Sequence, residues 1–245
     1  MFSTFRKLTG AAVVASLVFA SSSAFASGSK MYSVTITNIT KSILFTPILV
    51  ASHRKNLSLF ELGSPASEGL EGLIDIAEGG DVTLLTDTLE GISHVVEVKN
   101  AGALRAGESV TIEISAAHGA RRITLASMML PTNDGFIALN SFKAPKRGSV
   151  TYYSPGYDAG TEPNDELCIS IPGPQCILED VMGEGRSVID NNAENYVHIH
   201  SGIHGTIGGL PYNVTANEFD WKNPVAKITI TRIRGNDHDD DDDDD

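Results

Sequence analysis

Three stretches of this chain alternate apolar and polar residues with a period of two, and that period limits the fold more than any other feature. Val34, Ile36 and Asn38 alternate with Thr35, Thr37 and Ile39, and the same rhythm runs through residues 110–115 and 225–233. Successive side chains of an extended strand point to opposite faces, so such a run buries one face of a sheet and leaves the other in water. Residues 44–51 form a further β-rich run, and shorter strand candidates lie at 95–98, 123–128, 136–140, 150–153 and 196–200. Two segments read as helices. Residues 65–77 place Leu70, Leu73, Ile74 and Ala77 on one side, and residues 81–89 start at Asp81 as a candidate N-cap. Many short strands, turn-rich connectors and few helices predict an all-β chain, folded as an antiparallel β-sandwich with short helices and long loops. No internal repeat or linker interrupts residues 32–234, so a single domain over 27–235 is expected.

The two ends differ in kind from this middle. Arg6 and Lys7 precede an apolar stretch over residues 8–20, and Ala24-Phe25-Ala26 supplies a small-x-small cleavage pattern. The apolar stretch is short of the roughly 20 residues a membrane span requires. The reading is a cleaved signal peptide over residues 1–26, hence an exported protein, periplasmic or secreted, without a transmembrane segment. At the other end Asp239 begins seven consecutive aspartates, which repel one another and predict a disordered acidic tail over 236–245. The formal net charge of −13 argues against nucleic acid, whose phosphates require a basic face. Cys168 and Cys176 are the only cysteines. Export permits oxidation, so a disulfide closing their Pro- and Gly-containing loop is favoured over two free thiols.

Residues 131–195 are rich in Gly, Pro, Asn and Asp, the composition of a long loop that carries function or is disordered. Phe136, Phe142, Tyr152, Tyr153 and Tyr157 predict order in its first half. A series of segments here and upstream resembles one family. These are Phe45-Thr46-Pro47-Ile48-Leu49-Val50-Ala51-Ser52-His53, Leu59-Phe60-Glu61-Leu62-Gly63-Ser64-Pro65, Pro131-Thr132-Asn133-Asp134-Gly135-Phe136, and Tyr157-Asp158-Ala159-Gly160-Thr161-Glu162. Taken in order over residues 32–233, they look like the spondin N-terminal domain of F-spondin, mindin and bacterial exported proteins. The resemblance implies a β-sandwich similar to calcium- and lipid-binding sandwich domains, one calcium held by acidic side chains of the last two segments, and a role in adhesion or recognition without catalysis. Glu162 stands where the family has aspartate, and Gly135 where it often has an aromatic residue.

Calcium takes six to eight oxygen ligands in a flexible shell. Asp134, Asp158 and Glu162 can supply part of it, with Gly160 permitting the turn that aims Asp158 and Glu162 at one point. The plainer alternative is that Asn-Asp-Gly is a turn signal and the carboxylates are solvated. A second cluster is His198, His200 and His204. In a strand the first two share a face, and Gly202 can bend the chain to bring in the third, an arrangement suited to zinc or copper. Glu194 is the nearest carboxylate in sequence. The alternative there is a set of polar residues at a strand end. No His-Glu-x-x-His, Gly-x-Ser-x-Gly or phosphate-cradling Gly-rich loop is present. The leading expectation is an exported calcium-binding recognition or adhesion module for an extracellular or envelope protein or glycan. The alternatives are a zinc- or copper-dependent enzyme built on the histidines, or a metal-independent surface or matrix component. N-terminal sequencing of the exported protein is expected to begin at Ser27; a product still starting at Met1 would contradict the signal-peptide reading.

Overall fold

The computed structural model describes residues 30–167, 170–172, 192–204 and 216–233. The signal segment, Cys168, Cys176 and the aspartate tail lie outside the described residues. In chain order the strands are β1 (Met31–Asn38), β2 (Leu44–Phe45), β3 (Ile48–His53), β4 (Val95–Ala101), β5 (Ser109–Ser115), β6 (Arg122–Leu130), β7 (Gly135–Lys143), β8 (Ser149–Ser154), β9 (Tyr157–Asp158), β10 (His198–Ile199) and β11 (Ala226–Ile233). Helices α1 (Leu73–Gly79) and α2 (Thr83–Glu90) fall between β3 and β4, and the short α3 (Ala216–Phe219) precedes β11. Among the described residues no helix is long and apolar enough to cross a membrane.

The strands form the expected antiparallel sandwich. One sheet runs β5-β1-β11-β8, the other β10-β9-β7-β6-β3-β4 with β2 paired to β6. The first sheet explains the period of two. Tyr32, Val34 and Ile36 of β1 are buried with Ile112 and Ile114 of β5 and Ile228 and Ile230 of β11. On the opposite face Thr35 lies between Thr111 and Thr229, and Thr229 faces Thr151. Their hydroxyls pair across the strands, Thr35 with Thr111 at 2.9 Å and Thr151 with Thr229 at 3.1 Å. One face is therefore apolar and one wet along every strand.

The second sheet is buried on both sides. Val50, Leu125, Ile137 and Leu139 face the first sheet. Leu49, Ala51, Ala126, Phe136 and Ala138 pack instead with Leu73, Ile76 and Ala77 of α1 and Leu85 and Leu89 of α2. The molecule thus has three layers, sheet on sheet with helices outside. Two-sided burial is why residues 44–51 read as a continuous apolar run rather than an alternating one. Thr46-Pro47 divides that run into β2 and β3, because proline has no N–H to give to a ladder.

The helix expected over residues 65–77 is two pieces: a 3-10 turn at Ala66–Glu68, then α1. The break has a steric cause. A Cβ at Gly69 would lie 2.2 Å from the Leu59 carbonyl oxygen, and Gly72 takes φ +92 with Leu85 N 2.3 Å from where its Cβ would be. The chain must pass too close to its neighbours there for a continuous helix. At α2 the Asp81 carboxylate accepts the Thr83 N–H at 2.8 Å, so Asp81 serves the helix start, although the capping position itself is Val82.

His53, at the end of β3, is fully buried. Its Nδ1 donates to the Lys55 carbonyl at 2.6 Å, leaving Nε2 to accept the Thr124 hydroxyl at 2.9 Å. Burial holds the imidazole below its ordinary pKa, with Arg122 and His94 adding in the same direction against the Lys55 carbonyl. The unfolded chain takes up this proton near pH 6.5 and the folded chain only at lower pH. The contribution to stability is therefore full above that value and declines as pH falls through it, by at most about 1.4 kcal/mol per pH unit. Denaturation midpoints measured from pH 8 to pH 5 are expected to fall more steeply for wild type than for His53→Gln.

Candidate metal centre

The centre lies at one end of the second sheet, where three elements meet. Asp134 closes the β6–β7 turn. Gly135, the first residue of β7, sits opposite Asp158 of β9, and Asp158 sits opposite His198 of β10. Asp158 is thus the middle of a three-strand register and is fully buried.

Each carboxylate is held by backbone and amide donors. Asp134 Oδ2 accepts the N–H groups of Thr161 at 2.8 Å and Glu162 at 3.0 Å, and the Thr161 hydroxyl at 3.2 Å. Its Oδ1 is buried and has no hydrogen-bond partner. Burial, followed by the charge of Asp158, holds the Asp134 carboxyl well above the usual carboxylate range, against the two N–H donors that favour its ionised form; Glu162 adds a smaller repulsion. Asp158 Oδ1 accepts the Gly160 N–H and Oδ2 the Asn164 amide, both at 2.8 Å. Asn164 also reaches Glu194 Oε1 at 3.4 Å. His198 Nε2 stands 3.4 Å from Asp158 Oδ1, and His200 Nε2 3.8 Å from Oδ2. Ligand atoms of Asp158, Glu194 and His198 all lie within 4.8 Å of one another. These three residues form a group that can hold a metal ion.

Two glycines make the approach of the elements possible. Gly160 adopts φ +65, and a Cβ on it would lie 2.3 Å from the Tyr196 carbonyl oxygen. Its own carbonyl accepts the Asn195 N–H at 2.8 Å. The loop bearing Asp158 and Asn164 is thereby pressed against the segment bearing Glu194 and His198. Gly135 leaves room for His200, since a Cβ there would meet His200 Cδ2 at 3.0 Å and Thr132 Oγ1 at 2.6 Å. An aromatic side chain at position 135 and the His200 ring could not both occupy that space.

His200 is almost entirely buried, with its ring 4.9 Å from that of Trp221. Its Nδ1 accepts the Gly202 N–H at 3.1 Å. Burial pushes its pKa down to about 4, with the other two histidines adding to the effect and Asp158 opposing it. His204 is placed differently from the sequence expectation. Gly202 does bend the chain, at φ +98, and His204 lies near enough to His200 to lower its pKa, but among the described residues only His198 and His200 pair with Asp158. The His204 ring bonds Ser201 Oγ at 3.1 Å, and its N–H donates to Glu166 Oε1 at 2.6 Å. Only His198 and His200 converge on Asp158. The carboxylate set and the histidine set, read apart in sequence, are therefore one centre joined by Asp158. Asn164 was not singled out by the sequence, and Glu194 enters as a ligand-distance carboxylate rather than merely a neighbour of the histidines. The Cys168–Cys176 pair falls outside the described residues.

No protein-family model matches this chain, and neither does any curated protein sequence.

Replacing Gly160 by alanine is expected to destabilise the fold by about 1–3 kcal/mol through the left-handed backbone and the clash with Tyr196, and to abolish any stabilisation by added divalent cation. Gly148 also has positive φ but open space around it. Gly148→Ala, melted with cation and with chelator, should show the strain and keep the cation response.

Proposed function

We propose that this chain is an exported recognition or adhesion module of the spondin type, in which calcium ties the β6–β7 turn to the loop after β9. The observation that carries the reading is the buried Asp134 Oδ1, which has no hydrogen-bond partner beside the charges of Asp158 and Glu162. Ionised carboxylates crowded together out of water repel one another and lose hydration, and a bound cation reverses both costs. Asp134, Asp158 and Glu162 offer hard oxygen donors of the kind calcium takes, with backbone carbonyls and water completing the shell.

A recognition role is supported by what surrounds these residues. Tyr196, Ile199 and Leu62 are large apolar side chains left about half exposed. They lie on segments joined by backbone bonds, Gly63 N–H to the Val197 carbonyl at 2.8 Å and Val197 N–H to the Ser64 carbonyl at 2.9 Å. The partner we propose is an extracellular or envelope protein or glycan that meets this edge, whose shape the cation would hold. Outside the cytoplasm calcium can be plentiful, so a site of modest affinity suffices.

A ligand that binds only the folded form stabilises it by about 2.7 kcal/mol at one hundred times its Kd. Calcium is expected to raise the Tm of the mature protein relative to chelator. Asp134→Asn should lose that increment while its calcium-free form stays as stable as calcium-free wild type, since it no longer buries a charge. Equal calcium responses in the two proteins would overturn the reading.

A further inference from the structure

The tautomers of His198 and His200 carry a conclusion that does not rest on the calcium reading. His198 Nδ1 has one partner, the Ile199 carbonyl oxygen at 3.0 Å. A carbonyl only accepts, so Nδ1 carries the proton and the neutral ring presents a bare lone pair at Nε2. That Nε2 is buried without a hydrogen-bond partner and faces Asp158 Oδ1 at 3.4 Å. Two lone-pair donors thus point at each other. The separation exceeds the usual N–H···O range of about 2.7–3.2 Å. It matches the edge of a zinc tetrahedron, about 3.3 Å for bonds of roughly 2.0–2.1 Å. Glu194 completes the trio, with its Oε2 likewise buried and without a hydrogen-bond partner.

His200 has the opposite tautomer. Its Nδ1 accepts the Gly202 N–H, so in the neutral ring the proton is on Nε2. That atom is almost wholly buried, has no hydrogen-bond partner and is directed at Asp158 Oδ2 from 3.8 Å. Asp158 Oδ1 therefore accepts the Gly160 N–H and also meets the His198 lone pair, while Oδ2 accepts the Asn164 amide, with the His200 N–H beyond bonding distance at 3.8 Å. This division suits a metal-bound carboxylate steered by outer donors, and the bond from His198 Nδ1 to a carbonyl is the usual way a ligating imidazole is oriented.

We infer that Asp158, Glu194 and His198 form a cation site of the zinc class, distinct in its donors from the calcium position at Asp134 and Glu162 and sharing Asp158 with it. A nitrogen donor is foreign to calcium, which prefers oxygen, and ordinary for zinc. Three protein ligands leave a fourth tetrahedral position to water or to a group of the partner. His200 orients Asp158 and is a positioning residue, not a ligand. His204 takes no part.

Zinc is titrated into chelator-stripped mature protein by calorimetry, with cobalt(II) as a spectroscopic reporter. Wild type should bind one zinc at this site and give the visible cobalt spectrum of a nitrogen–oxygen site. His198→Ala and Glu194→Gln should each weaken zinc at least tenfold, with the cobalt signal lost in His198→Ala. Asp134→Asn should keep zinc affinity within about threefold, and circular dichroism of each variant establishes that it is folded. If wild type takes up no stoichiometric zinc, a proton rather than a metal joins His198 to Asp158 and the inference fails. It fails equally if folded His198→Ala binds zinc as wild type does. Zinc binding without any calcium-induced rise in Tm would remove the calcium reading and leave this one standing; the reverse result would do the opposite.

Discussion

The centre depends on the burial of one sheet from two sides. Strands β3, β6 and β7 give alternate side chains to the sandwich core and to the layer beneath α1 and α2, so neither face can shift without opening apolar contacts. A turn that joins two such strands inherits their rigidity. The β6–β7 turn is that turn, and it delivers Asp134 and Gly135. Asp158 is then located by register against Gly135, and His198 by register against Asp158. Apolar packing at the middle of the sheet thus fixes the positions of charged groups at its edge.

Those groups are costly to bury. A carboxylate taken from water must be met by donors or by a cation, or it must protonate. Asp158 is met by Gly160 and Asn164, and half of Asp134 by Thr161 and Glu162. What these donors leave over is Asp134 Oδ1 on one side and the facing lone pairs of Asp158 and His198 on the other. A buried network with unmet atoms is expensive where it serves only stability. The first remainder is all oxygen and is the position proposed for calcium; the second is mixed nitrogen and oxygen and belongs to the group that can hold a metal ion.

The same contacts connect the centre to the surface. Gly160 lies against Tyr196, Asn195 bonds the Gly160 carbonyl, and Val197 bonds the loop that carries Leu62. Any cation that draws Asp158 toward Glu194 and His198 also sets the backbone from which Tyr196 and Ile199 project. On the proposed recognition role, binding energy spent on the metal would lower the ordering cost of binding a partner.

Much of the fold is legible along the chain because the first sheet is buried on one face only, and one-sided burial writes a period of two into residues 34–39, 110–115 and 225–233. The second sheet is harder to read, since two-sided burial erases the alternation. The break in the expected helix is invisible in sequence because it arises from Leu59 and Leu85 pressing on Gly69 and Gly72. For the centre, local spacing by itself determined that Asp158 and Glu162 can turn about Gly160, and that His198 and His200 share a face. Tertiary structure decided that both sets meet at Asp158, that Glu194 and Asn164 join them, and that His204 bonds Ser201 and Glu166 instead. The reason is distance along the chain. Periodicity and turn chemistry act over a few residues, whereas the 35 residues between Asp158 and Glu194 are bridged by strand register and by a glycine with no room for a side chain.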